Sequence, residues 1–66
     1  MPMPPHLVKG TCPSQCTAAV CDDIYNTFAP LYDACTDDTC RAQIQSRYNR
    51  KLEHCEDWII GGGADQ

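Results

Sequence analysis

Apolar residues fall along the middle of the chain at helical spacing. Cys16, Val20, Ile24, Phe28, Leu31 and Cys35 follow one another at steps of 4, 4, 4, 3 and 4, which places them on one face of a 3.6-residue period. Cys40, Ile44, Tyr48, Leu52, Cys55 and Ile59 repeat the same steps 24 residues later. Any two amphipathic helices share such a period, so the repetition predicts two packed helices rather than a duplication. Pro30 interrupts the first stripe. A proline inside a helix removes one hydrogen bond and clashes with the carbonyl four residues back, here that of Asn26. The pattern therefore predicts a break and three helices, at about 13–28, 30–36 and 38–59. The expected fold is all-α: a small disulfide-stapled helical hairpin or three-helix bundle.

The ends of the stripes carry matching signals. Pro13 and Ser14 suit a first helical turn, where a missing amide is harmless. Thr36, Asp37, Asp38 and Thr39 offer capping oxygens and negative charge to the start of the second helix. A connection this short implies antiparallel neighbours. Residues 1–10 hold three prolines and end at Gly10, which reads as an extended arm whose Leu7 and Val8 can pack onto the helices. Residues 11–60 form the single cysteine-stapled domain, and 61–66, opening with Gly61, Gly62 and Gly63, form a flexible Gly-rich tail.

Six of the 66 residues are cysteines, Cys12, Cys16, Cys21, Cys35, Cys40 and Cys55. A chain this short buries too little apolar surface to offset its conformational entropy comfortably, and cross-links are the usual remedy outside the cytosol. In an antiparallel hairpin, facing residues have position numbers that add to a near-constant value. A turn at residues 36–39 then permits Cys35–Cys40 and Cys21–Cys55, leaving Cys12–Cys16. A turn near Phe28 to Pro30 permits Cys16–Cys40 and Cys21–Cys35, leaving Cys12–Cys55. The second set treats Pro30 as a break, avoids a small local ring and ties the arm to the last helix, so it is preferred.

Composition narrows the function classes. A net charge of −4 argues against nucleic acid or an anionic membrane surface, both of which favour clustered Lys and Arg. No run of about 18 apolar residues is present, so no membrane span is expected. Met1-Pro2-Met3-Pro4-Pro5 lacks the basic and apolar regions of a secretory signal, which fits a chain after signal removal or a module of a longer protein. His6 and His54 are far apart, and no histidine stands at zinc-ligand spacing from another, so no metal or cofactor is expected. There is no Cys-x-x-Cys dithiol motif. The cysteine gaps are only loosely similar to the twin Cys-x9-Cys or Cys-x3-Cys hairpins of the mitochondrial intermembrane space. Asp22-Asp23 and Asp37-Asp38 are adjacent pairs whose side chains diverge on a helix, so they read as solvated or capping residues, not as a hydrolytic pair. No enzyme is expected.

What remains is surface. The first helix is acidic and the stretch from Arg41 to Lys51 is basic, which reads first as complementarity within the hairpin and second as a bipolar recognition surface. Exposed Tyr, Trp and Arg commonly anchor interfaces, so Tyr25, Tyr32, Arg47, Arg50, Lys51 and Trp58 are the candidate partner-binding residues. In size, acidity and composition the chain resembles helical-hairpin toxins and small ciliate pheromones, without sharing their cysteine signatures. The expectation is a small secreted binding protein, a signalling ligand, pheromone, toxin or effector that recognises a protein receptor and can self-associate. The alternatives are a structural or adhesion module of a larger extracellular protein, then a reduced-thiol metal or redox protein.

Overall fold

A computed structural model describes residues 2–61 of the protein. Two helices, α1 (Ala18–Asp33) and α2 (Asp38–Glu53), are followed by a single 3₁₀ turn, η1 (Cys55–Asp57), with no strand among the described residues. The helices lie antiparallel. Cys35–Cys40 staples them at the connecting turn, and Cys16–Cys55 staples the start of α1 to the chain beyond α2 at the open end.

Each helix begins where the sequence supplies an oxygen for its unpaired amides. The Thr17 hydroxyl accepts from the Val20 amide at 3.2 Å, and the Asp37 carboxylate accepts from that of Cys40 at 2.8 Å. The start expected at residue 13 is thus corrected to 18. Pro13 to Cys16 instead close a separate turn, with the Cys16 amide on the Pro13 carbonyl at 3.1 Å. That turn lets Cys12 reach Cys21 and Cys16 reach Cys55. The expected break at Pro30 does not occur either: α1 runs through it to Asp33. Pro30 and Asn26 both face solvent, so water can satisfy the Asn26 carbonyl. The Pro30 carbonyl still accepts from Ala34 at 3.0 Å. The separate helix at 30–36 is therefore absent. The last helix stops at Glu53, not 59, because His54 leaves helical geometry (φ −113°, ψ 37°).

The preferred disulfide set is also overturned. The bonds are Cys12–Cys21, Cys16–Cys55 and Cys35–Cys40, and only the last belongs to either expected set. Facing positions add to a constant only along paired helices, whereas Cys12 and Cys16 precede α1, Cys35 follows it and Cys55 lies beyond α2.

The core consists of Leu7, Cys21, Ile24, Phe28, Tyr32, Cys35, Ile44, Tyr48, Leu52 and Cys55. Relative to the expected stripe, Tyr32 replaces Leu31 on the buried face of α1. The reason is the arm, which forms a third layer over the helix pair. The Tyr32 hydroxyl donates to the Pro4 carbonyl at 2.6 Å and the Tyr25 hydroxyl to that of Leu7 at 3.0 Å. The Gly10 amide donates to the Tyr48 hydroxyl at 3.0 Å. Gln45 accepts from the Val8 amide at 2.9 Å and donates to the Val8 carbonyl at 3.1 Å, as a neighbouring strand would. Arm positions rise as their α1 partners fall and their α2 partners rise, so the arm runs antiparallel to α1 and parallel to α2. Leu7 is its buried anchor. Gly10 allows the closest approach, since a Cβ there would stand 2.7 Å from Leu52 Cδ2.

The arm also takes the charges expected to pair across the hairpin. Lys9 Nζ meets Asp22 at 3.0 Å and His6 meets Asp33 at 3.4 Å, while Arg41 pairs within α2 with Asp38 at 2.9 Å. The hydrogen bond to Asp22, and then its charge, raise the Lys9 pKa. Gly61 has a positive φ of 104°, and residues 62–66 of the expected tail lie outside the described residues.

Candidate functional site

At the open end the last turn of α2 gives way to η1, and the chain changes direction twice within five residues. His54 caps α2, its amide on the Arg50 carbonyl at 3.2 Å, and the Trp58 amide closes η1 on the Cys55 carbonyl at 3.0 Å. Cys55 is buried and bonded to Cys16, with Cα atoms 6.3 Å apart, so the direction change is covalently pinned. Trp58 then leaves in extended conformation (φ −83°, ψ 135°).

Between these segments lies a cleft of about 300 Å³ lined by Arg50, Lys51, His54, Asp57 and Trp58. Arg50 and Lys51 thus share a cleft with one carboxylate and an imidazole on a chain whose net charge is −4. Both cations stand in the last turn of α2, where they complement the negative end of the helix, which accounts for their tolerance there. The helix terminus does not require an indole beside them. That indole is fixed from α1: Trp58 Nε1 donates to Asp23 Oδ2 at 2.6 Å, and its ring lies 6.3 Å from that of Phe28. The same Asp23 oxygen accepts from the Gly61 amide at 3.0 Å, so one acid fastens both ends of the segment 58–61. Ile59 and Ile60, within this segment, are 69% and 58% exposed. The expected burial of Ile59 fails because α2 ended six residues earlier.

Of the six candidate partner-binding residues, the structure gathers Arg50, Lys51 and Trp58 around this cleft. Arg47 stands elsewhere, with its guanidinium 5.7 Å from the centre of the Phe28 ring. Tyr32 is wholly buried and Tyr25 half-buried. Tyr25 packs edge-on against Tyr48 at 5.7 Å under the Lys9 ammonium. As an exposed anchor Tyr32 is corrected, its ring lying in the core; Tyr25 packs against that core, and both hydroxyls hold the arm.

Sequence reasoning missed three contributors. His54 reads as an ordinary exposed helix residue, yet it is the cap that turns the chain into the cleft. Asp57 carries no motif. Asp23 reads as solvated, whereas it is the acceptor of the Trp58 N–H. The usable signal was the lone tryptophan, whose indole N–H needs a partner when taken from water; nothing in the sequence singled out Asp23 as that partner. Cys16, Cys55 and Glu56 lie close enough together to suggest a metal site. The two sulfurs are bonded to each other and so present no thiolate.

Comparison with known proteins yields no match: no protein-family model fits the chain, and neither a curated protein nor a solved structure is similar to it.

Proposed function

We propose that this is a small extracellular, non-enzymatic protein that recognises a protein partner through the end of the hairpin carrying Arg50, Lys51, His54 and Trp58, as a signalling ligand, pheromone, toxin or effector does. The observation that carries the reading is the cationic, indole-walled cleft on an acidic chain, with the exposed Ile59 and Ile60 following its tryptophan in sequence. Arg and Trp recur as anchors at the centres of interfaces, with apolar contacts around them. Pairing of all six cysteines suits an oxidising compartment. It also leaves the metal or redox alternative without thiolates. No helix among the described residues is long and apolar enough to cross a membrane.

The test uses the oxidised protein, isotope-labelled during expression and titrated onto intact cells. Saturable binding is expected, displaced by unlabelled protein and lost in the double variant Arg50→Glu, Lys51→Glu but kept in Gln43→Glu on the exposed back of α2. Binding that never saturates, or that the double variant retains in full, contradicts the proposal.

A further inference from the structure

We infer that the cleft takes a carboxylate, presented by an Asp or Glu side chain of a peptide segment with an apolar residue beside it. The inference rests on the reading of this end as the recognition surface and adds the chemistry of what it recognises.

Four observations carry it. First, Arg50, Lys51 and His54 are donors on the wall formed by the end of α2, and a guanidinium is the side chain best matched to a carboxylate, in two parallel hydrogen bonds. Second, Asp57 shares the cleft. Asp57 can accept a backbone N–H of a peptide whose carboxylate meets the donors of α2, a contact that inorganic phosphate or a sulfated polymer, having no peptide backbone, does not make. Third, the Trp58 N–H is already committed to Asp23. The indole therefore offers its ring, held in place before binding, and not its donor, so the ligand needs an apolar or planar group next to its anion. Fourth, about 300 Å³ is at the small end of ligand sites. It has room for one or two side chains and not for a polymer.

Trp58 is the only tryptophan, so its fluorescence reports on this cleft alone. The intact oxidised protein is titrated with the blocked tripeptide acetyl-Leu-Asp-Phe-amide, with its Asn counterpart, with inorganic phosphate and with a heparin-derived oligosaccharide. The expected result is a saturable change with the Asp peptide and about tenfold weaker binding of the Asn peptide, the loss of one charge-assisted hydrogen bond. Arg50→Ala and His54→Ala, exposed positions whose folding is checked by circular dichroism and unchanged disulfides, should each weaken the Asp peptide. Equal affinity for the Asp and Asn peptides overturns the inference. So does binding of phosphate or the oligosaccharide in preference, or no saturable signal up to about 10 mM peptide. If the peptide fails while the Arg50→Glu, Lys51→Glu protein still loses saturable cell binding, only the ligand class is wrong. If that variant binds cells normally, the recognition surface itself is misplaced.

Discussion

Removing the three tyrosine hydroxyls that touch the arm, in a protein carrying Tyr25→Phe, Tyr32→Phe and Tyr48→Phe, should release residues 2–10 while leaving the helix pair intact. The hydroxyls of Tyr25 and Tyr32 donate to the carbonyls of Leu7 and Pro4, and that of Tyr48 accepts from Gly10, at 3.0, 2.6 and 3.0 Å. Each such bond contributes about 1 kcal/mol net, so the three together contribute about 3 kcal/mol. That corresponds to an increase of about a hundredfold in the population with the arm open. The rings remain, so the core around Tyr32 and Tyr48 keeps its packing. Leu7 and the two Gln45 bonds still favour closure, so the arm opens more often without becoming free. The assay is limited trypsin digestion after Lys9, followed by mass. While opening and closing outpace cleavage, the rate follows the open population. Cuts after Arg41 and Arg47, both within α2, serve as the internal control. Cleavage after Lys9 at the wild-type rate would refute the reasoning. A parallel rise at Arg41 and Arg47 would do the same, because the whole fold and not the arm would then be opening.

The disulfides should differ in worth with the length of chain they close: Cys16–Cys55, spanning 39 residues, and Cys35–Cys40, spanning 5. Chain entropy gives about 4 and about 2 kcal/mol respectively, so in urea unfolding the Cys16→Ala, Cys55→Ala protein should be the less stable, and the reverse order contradicts the estimate. Gly10→Ala drives a methyl to 2.7 Å from Leu52 Cδ2 and should cost about 1–3 kcal/mol, read as a lower thermal midpoint; an unchanged midpoint would mean that the arm does not lie this close. The pKa of Lys9 is raised above its ordinary 10.5, first by its hydrogen bond to Asp22. The Lys9–Asp22 contribution is therefore fully present below 10.5 and is lost as pH rises through the higher folded value. An NMR titration of Lys9 should show that elevation, and Asp22→Asn should reduce it.

Much of the helical hairpin was legible because its two stripes are long and its caps explicit. The face of α1 was misread by one residue at its end, Leu31 for Tyr32, because the sequence does not announce that the Pro-rich arm will supply an acceptor for a buried tyrosine hydroxyl. Pro30 was over-weighted. Its penalty depends on whether the carbonyl it orphans can meet water, which is a property of the folded surface. The cysteine pairing failed for a related reason. Helical register orders residues only within helices, and four of the six cysteines, Cys12, Cys16, Cys35 and Cys55, lie outside α1 and α2. Half of the expected binding residues converge because Arg50, Lys51 and Trp58 surround one chain reversal. The remainder was hidden, since His54 and Asp57 enter the cleft, and Asp23 reaches Trp58, only through the chain reversal around Cys55.

That tie makes the disulfide map the most direct measurement. Chymotrypsin and trypsin acting on the denatured, unreduced protein cut after Tyr25, Tyr32 and Trp58 and after Lys9, Arg41 and Lys51. They leave segments 10–25, 33–41 and 52–58, which together hold all six cysteines. The structure predicts that 33–41 is released alone, two hydrogens lighter than its linear form, while 10–25 stays joined to 52–58, with fragmentation placing the link at Cys16. All three segments held in one mass, as Cys16–Cys40, Cys21–Cys35 and Cys12–Cys55 require, would contradict it, as would a link from Cys55 to Cys21, and the cleft would then lose its frame.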